Sequence, residues 1–214
     1  GCTVLSMSCY SVVKARMSKE SLVEMRTGTS LAIGAAVGGV AGKMMFQYIL
    51  ELSPDRDRVG AVQAACLLVI TLGTLLYMMR KDKIHTHHVT AIWACMAIGL
   101  VLGICSSFLG IGGGPINLVV LFYFFSMDTK TAAQNSLYII LFSQITSLIN
   151  TLVTRTVPEF GFGLFVLMVG GGILGGVAGR SVNRKLDASM VNRLFIGLMI
   201  AIMGICVYNI IQFL

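Results

Sequence analysis

Hydrophobic and polar positions in this chain fall into long blocks rather than an alternating pattern. Thr27–Leu50, Val59–Met79, Val89–Leu109, Gln134–Thr154, Phe160–Gly179 and Leu194–Leu214 are apolar stretches close to the roughly 20 residues that a membrane-spanning helix needs. Cys2–Val13 is apolar but short and reads as the tail of a truncated span; Ile116–Met127 is half a span long. Polar connections separate them: Lys14–Arg26, Glu51–Arg58 around Pro54, Arg80–His88, Asp128–Ala133, Arg155–Glu159 with Pro158, and Arg180–Arg193. The pattern predicts an all-α, polytopic transmembrane helix bundle.

One stretch breaks that pattern. Between Lys83 and Asp128 there is no Lys, Arg, Asp or Glu, yet its middle reads Ser106-Ser107-Phe108-Leu109-Gly110-Ile111-Gly112-Gly113-Gly114-Pro115-Ile116-Asn117. Glycine costs about 1 kcal/mol and proline about 3 kcal/mol inside a helix. Irregular backbone at membrane depth survives only where protein buries it or where it lines a polar cavity. A glycine-rich broken helix or re-entrant segment is therefore expected here, running on into the short Ile116–Met127 block.

The chain also repeats itself. Gly34-Ala-Ala-Val-Gly-Gly-Val-Ala-Gly-Lys43 matches Gly171-Gly-Ile-Leu-Gly-Gly-Val-Ala-Gly-Arg180, 137 residues later. The spans that follow align Gly73 with Gly204 and Tyr77 with Tyr208. Two related halves follow: residues 1–88 as the remainder of a first repeat and 89–214 as a second repeat containing the glycine segment. Counting back places Gly1 opposite Leu137 or Tyr138, so the first copy of the glycine segment and the span before it are expected upstream of Gly1.

Charge then orients the spans. If Val89–Leu109 and Ile116–Met127 together cross and return, one side collects 12 of the 16 Lys and Arg residues, the other side 3, and Lys43 is left over. Without the return, the four cations of Arg180–Arg193 would move to the other side. The positive-inside rule favours the first arrangement, which also inverts the two halves in the membrane, as in many carriers. Lys43 aligns with Arg180 at a span end, and snorkelling to the interface is expected of it.

Composition agrees. The chain is 56% hydrophobic and 12% charged, against roughly 25% charged residues in soluble domains. Its net charge of +7 is explained by the loops, and no motif or aromatic-interleaved basic patch points to nucleic acid. The six cysteines are scattered without a CxxC pair and read as small buried hydrophobes. His85, His87 and His88 share a basic loop without a carboxylate or cysteine cluster, so no metal and no cofactor is expected.

The glycine segment has chemistry to offer. Glycines expose backbone N–H groups, and a helix beginning after Gly114-Pro115 places proline where its missing N–H does no harm. The positive end of that half-helix would face the break, and helix N-termini hold anions. Ser106, Ser107 and Asn117 add neutral hydrogen-bonding groups. Gln134–Thr154 is an unusually polar span, with Gln134, Asn135 and Ser136 near its start, where they would also serve as caps, and Ser143, Gln144 and Ser147 deeper. Polar groups inside a membrane normally face the bundle or a cavity. A tight break needed only for packing, and hydrogen bonds that only hold the bundle together, stay open beside the binding reading. The segment fits neither nucleotide pattern: GxxxxGK lacks its Lys, and GxGxxG would need glycine at Pro115.

The motif Gly110-Ile-Gly-Gly-Gly-Pro115, then an apolar half-span, then Thr131-Ala-Ala-Gln-Asn-Ser136, resembles the signature of the sulfite exporter TauE/SafE family, and the Gly-Gly-Val-Ala-Gly-Lys/Arg element fits it too. The resemblance covers essentially the whole chain. It implies a bacterial inner-membrane, multi-pass secondary transporter of two related halves, moving sulfite, sulfonates or related organic acids. The expected substrate-binding set is Ser107, Gly110, Gly112, Gly113, Gly114, Pro115, Asn117, Asn135, Ser136 and Gln144, with no catalytic residue. The expected partners are a small anionic substrate and the lipid bilayer. A non-transporting membrane scaffold and an intramembrane enzyme are the alternatives; the latter lacks an apparent nucleophile–base or metal set. No Asp or Glu lies deep within a span, so a carboxylate proton relay is not expected from this chain.

Overall fold

Each predicted span is helical in the computed structural model, which describes residues 2–17, 25–52, 56–80, 86, 88–109, 113–153 and 161–213. Eight helices occur among these residues: α1 (Cys2–Met17), α2 (Met25–Leu52), α3 (Arg56–Arg80), α4 (Ile92–Leu109), α5 (Gly114–Phe125), α6 (Thr129–Val153), α7 (Phe162–Lys185) and α8 (Ala188–Phe213). All but α1 and α5 are long and apolar enough to cross a membrane. Large side chains such as Leu167, Leu174, Leu194 and Tyr208 are exposed on the outer surface of α7 and α8. That is the expression of a bundle whose solvent is lipid, in which every backbone polar group must be satisfied within the helix.

Helix ends extend beyond the apolar blocks. The sequence predicts a loop at Lys14–Arg26 and another at Arg180–Arg193, yet α1 runs on to Met17, α7 runs on to Lys185, and α8 begins at Ala188. Lys and Arg are good helix formers, and their long stems can lie along the helix while the charge reaches water.

Contacts between helices fix how they run. α2 and α4 lie parallel: Gly34 meets Met96 and Leu100, Gly42 meets Ile104, and the rings of Phe46 and Phe108 stand edge-on at 5.7 Å. α6 runs the same way, because Thr29 Oγ1 lies 3.4 Å from Tyr138 Oη and Lys43 reaches Thr151. α5 comes back, since Val89 N–H donates to Phe124 O at 3.0 Å. The stretch from α4 to α5 is thus an antiparallel hairpin. α3 starts beside the far end of α4, where Gln63 Nε2 donates to Phe108 O at 2.9 Å. The end of α1 meets the start of α6, and α7 lies parallel to α1, with Thr3 beside Gly172 and Tyr10 beside Gly176.

These directions gather Lys14, Arg16, Arg26, Arg80, Lys130, Arg180, Lys185 and Arg193 on one side of the bundle, here termed the basic side. The break after α4 lies toward the opposite, far side. Taken in order, helix α6 runs opposite to α1, α7 opposite to α2 and α8 opposite to α3.

Close helix approach rests on glycine. A methyl at Gly38 would stand 2.1 Å from Leu100 O, and Gly34, Gly42, Gly99 and Gly103 are equally tight against backbone across the α2–α4 seam. Small residues at this spacing let backbones touch, which is how membrane helices associate without a hydrophobic driving force. Their sequence counterparts on α7 differ: Gly171, Gly175 and Gly179 meet no described atom within 4 Å. Leu31, Ala35, Met78, Cys95, Leu121, Phe122, Phe125, Ala132 and Ile139 form the buried core, joining α2, α3, α4, α5 and α6. Of the cysteines, Cys95 and Cys206 are buried, as expected of small hydrophobes, whereas Cys9 and Cys66 face outward.

Candidate functional site

Four helices converge on the hairpin's turn. α4 ends at Leu109 and α5 begins at Gly114. Gly110, Ile111 and Gly112, the heart of the sequence motif, lie outside the described residues. Gly113 is buried and has φ 87°, in the left-handed region that glycine enters without penalty. Space enforces the same choice: a Cβ there would stand 2.5 Å from Ser106 Oγ and 3.0 Å from both Nδ2 and Oδ1 of Asn117. Gly113 is therefore the point where Ser106 of α4 and Asn117 of α5 come together around bare backbone.

Pro115 stands in the first turn of α5, where the sequence predicts it. Asn117 N–H makes the bond back to Gly113 O at 2.9 Å. In such a helix start, the N–H groups of Gly114 and Ile116 have no intrahelical acceptor. They point out of a helix end that carries partial positive charge. Gly114 has no described atom within 4 Å of where its Cβ would be.

Asn117 is 2% exposed, and its Oδ1 has no hydrogen-bond partner among the described residues. A buried amide oxygen left unpaired costs about 1–3 kcal/mol, so such groups call for an explanation. Helix rise puts Asn117 roughly 12 Å from the basic-side end of α5.

The sequence set divides between several surroundings. Gly113, Gly114, Pro115 and Asn117 share the start of α5. Ser107 faces α2: its Oγ lies 3.3 Å from where a Cβ of Gly39 would be, and Ser143 Oγ lies 2.8 Å from the same point. The residue turned to Gly113 is its neighbour Ser106, because consecutive residues on a helix point about 100° apart. Sequence alone offers no way to choose between two adjacent serines. Asn135 and Ser136 are buried on α6, with Asn135 Nδ2 donating to Thr131 O at 2.9 Å. Gln144 is half-buried farther along α6.

The Gln134–Ser136 group does not cap its helix. α6 begins earlier, at Thr129, and Asp128 caps it: its Oδ2 accepts from the backbone N–H of Lys130 at 3.1 Å and of Thr131 at 3.4 Å. Partial burial tends to raise the Asp128 pKa, but hydrogen bonds from the Thr131 side chain and from the backbone of Thr131 and Lys130 outweigh it and hold the carboxyl below its ordinary value. Gln134 instead borders a small hollow on the basic side with Ser11, Val12, Ala15, Arg16, Leu137 and Tyr138. That hollow combines a guanidinium, an amide and hydroxyls at the bundle's edge.

Lys43 also departs from expectation. Its Nζ donates to Thr151 Oγ1 of α6 at 2.7 Å, so the side chain is held between helices rather than reaching freely to the interface. His85 and His87 lie outside the described residues. Among the described residues no three His, Cys, Asp or Glu side chains come together.

The arrangement brings a hydroxyl, an amide side chain and a helix N-terminus to one buried point, with hydroxyls and a cation on the side of α2 and α6. A family model described as sulfite exporter TauE/SafE matches residues 1–205. No curated protein and no solved structure matches the chain.

Proposed function

The chain belongs to the sulfite exporter TauE/SafE family, a family of membrane transporters, and on that premise we propose that it is a secondary carrier of small anions, sulfite, sulfonates or related organic acids, which bind at the break between α4 and α5. The observation that carries this reading is the junction at Gly113. A left-handed glycine and a proline-led helix start leave backbone N–H groups without an intrahelical acceptor beside the buried Asn117 amide. Neutral donors hold an anion without the cost of a buried cation, and weakly enough for it to leave again.

The two halves act as an inverted repeat in this reading. The opposed directions of α1–α3 and α6–α8 support it, as does the packing of α1 on α7 and α2 on α6, which exchange when the halves are exchanged. The repeat assigns to the open face of α7 a helix packed as α4 packs on α2. Such pairs of broken helices meeting near the midplane allow alternating access. The basic side is then cytoplasmic, in a bacterial inner membrane.

Reconstituted full-length protein tests the reading. Saturable flux of at least one anion from a sulfite, sulfonate and carboxylate panel is expected. Flux indistinguishable from empty liposomes across the panel refutes it.

A further inference from the structure

Side chains on a helix lean toward its N-terminus, and Asn117, one turn into α5, folds its amide back over Gly113. Nδ2 and Oδ1 both stand 3.0 Å from where a Cβ of Gly113 would be. The glycine thus makes room for both ends of the amide. Asn117 is 2% exposed, and its Oδ1 has no hydrogen-bond partner among the described residues. Ser106 Oγ comes within 2.5 Å of the same point without bonding that oxygen. The backbone N–H groups of Gly114 and Ile116 leave the same helix end without an intrahelical acceptor, where the helix carries partial positive charge.

These groups call for more than acceptors. A backbone N–H can only donate, a serine hydroxyl can do either, and an amide oxygen can only accept. A fully deprotonated oxyanion brings acceptors alone. It would pair with the N–H groups but leave Oδ1 buried, unpaired and facing negative charge, which is costly. From this we infer that the site at Gly113 selects an oxyanion that carries an O–H beside its charged oxygens, of the hydrogensulfite or α-hydroxy acid type, over one without that donor. The inference rests on the anion-carrier reading and names the class of anion it takes. The charged oxygens accept from Gly114 and Ile116 N–H and from Asn117 Nδ2, and the O–H donates to Asn117 Oδ1. Turning the amide over exchanges its two ends and leaves the same requirement, a donor and an acceptor side by side. A site in which the wrong ligand leaves a buried polar group unpaired discriminates far more strongly than an apolar pocket. There is no Lys, Arg, Asp or Glu between Lys83 and Asp128, so on the hairpin itself this choice falls to neutral groups.

The test uses full-length protein in proteoliposomes at neutral pH. The reporter is whichever anion of the sulfite, sulfonate and carboxylate panel shows the largest saturable flux. Near-isosteric competitors are titrated against it in pairs: glycolate with propionate, and hydroxymethanesulfonate with ethanesulfonate. The members of a pair share one charge and differ by an O–H in place of a methyl group. In whichever pair competes, the hydroxyl member is expected to have an inhibition constant lower by about tenfold or more. Asn117→Leu, of similar size without a polar atom, brings that ratio to within about twofold. Poorer folding does not imitate this change, because both competitors meet the same protein. A wild-type ratio near one, stronger inhibition by the methyl member, or no inhibition by either pair overturns the inference while leaving transport intact. An undiminished ratio in Asn117→Leu does the same. If Asn117→Leu folds poorly, the wild-type ratios decide alone. Wild-type protein without saturable flux of any panel anion overturns the transport reading itself, and this inference with it.

Discussion

Replacing Gly38 by alanine is the sharpest perturbation of the α2–α4 seam. The new methyl would stand 2.1 Å from Leu100 O and 2.8 and 2.9 Å from the carbonyl carbon and Cα of Leu100. Carbon–oxygen contacts settle near 3.3 Å or beyond, so the helices must part by roughly 1 Å. Both sides of the clash are backbone, and no side chain can rotate away. Gly34, Gly42, Gly99 and Gly103 share the seam, and a gap of 0.5–1 Å forfeits a quarter to a half of each contact's attraction. Overpacking of this kind costs about 1–3 kcal/mol, and the rigid contact argues for the upper end. Alanine's better helix propensity returns about 1 kcal/mol. The expected net loss is about 2 kcal/mol. At roughly 2–4 °C per kcal/mol for a chain of this size, Tm in mild detergent falls by about 4–8 °C. Gly73→Ala is the control, because no described atom lies within 4 Å of its would-be Cβ; its Tm is expected to hold or rise. Equal Tm for wild type and Gly38→Ala, or an equal fall in Gly73→Ala, would refute the reasoning.

Gly113→Ala meets both a left-handed backbone and a contact at 2.5 Å with Ser106 Oγ, and a fall in stability of about 1–3 kcal/mol is expected from the strained backbone, read as a Tm shift. Removing Ser106 in addition, as Ser106→Ala, recovers the part due to the side-chain clash but not the part due to φ. The Asp128 cap gives a pH signature: its folded pKa is depressed, so its contribution is present above the unfolded pKa and is lost as pH falls through the folded value. Asp128→Asn is expected to flatten the acid limb of the Tm–pH profile of wild type, most visibly below the ordinary aspartate range; superimposed profiles would count against the cap.

The bundle was legible in the sequence because the apolar blocks are long and the loops charged. Gly113 and Pro115 were legible as a break because few residues can begin a helix from a left-handed turn. Helix ends were harder to read: at Met17 and Lys185 charge marks a loop while propensity favours continuing the helix, and propensity prevailed. Asp128 carried a readable cap signal, an aspartate just before Thr129-Lys130-Thr131, but the neighbouring Gln134–Ser136 group drew the assignment into the helix. The role of Ser106 over Ser107, and the contact of Lys43 with Thr151, depend on rotation and packing between segments distant in sequence. No periodicity encodes those choices.

The central claim is that an anion binds where α5 begins. Its most direct test is the initial rate of saturable sulfite flux in proteoliposomes holding matched amounts of folded wild type, Gly113→Leu, Asn117→Ala and Asn135→Ala. The account predicts a loss of at least about tenfold for Gly113→Leu and Asn117→Ala, as expected when an oriented donor of about 1.4 kcal/mol is removed, and a smaller loss for Asn135→Ala. Wild-type flux in all three variants would contradict it.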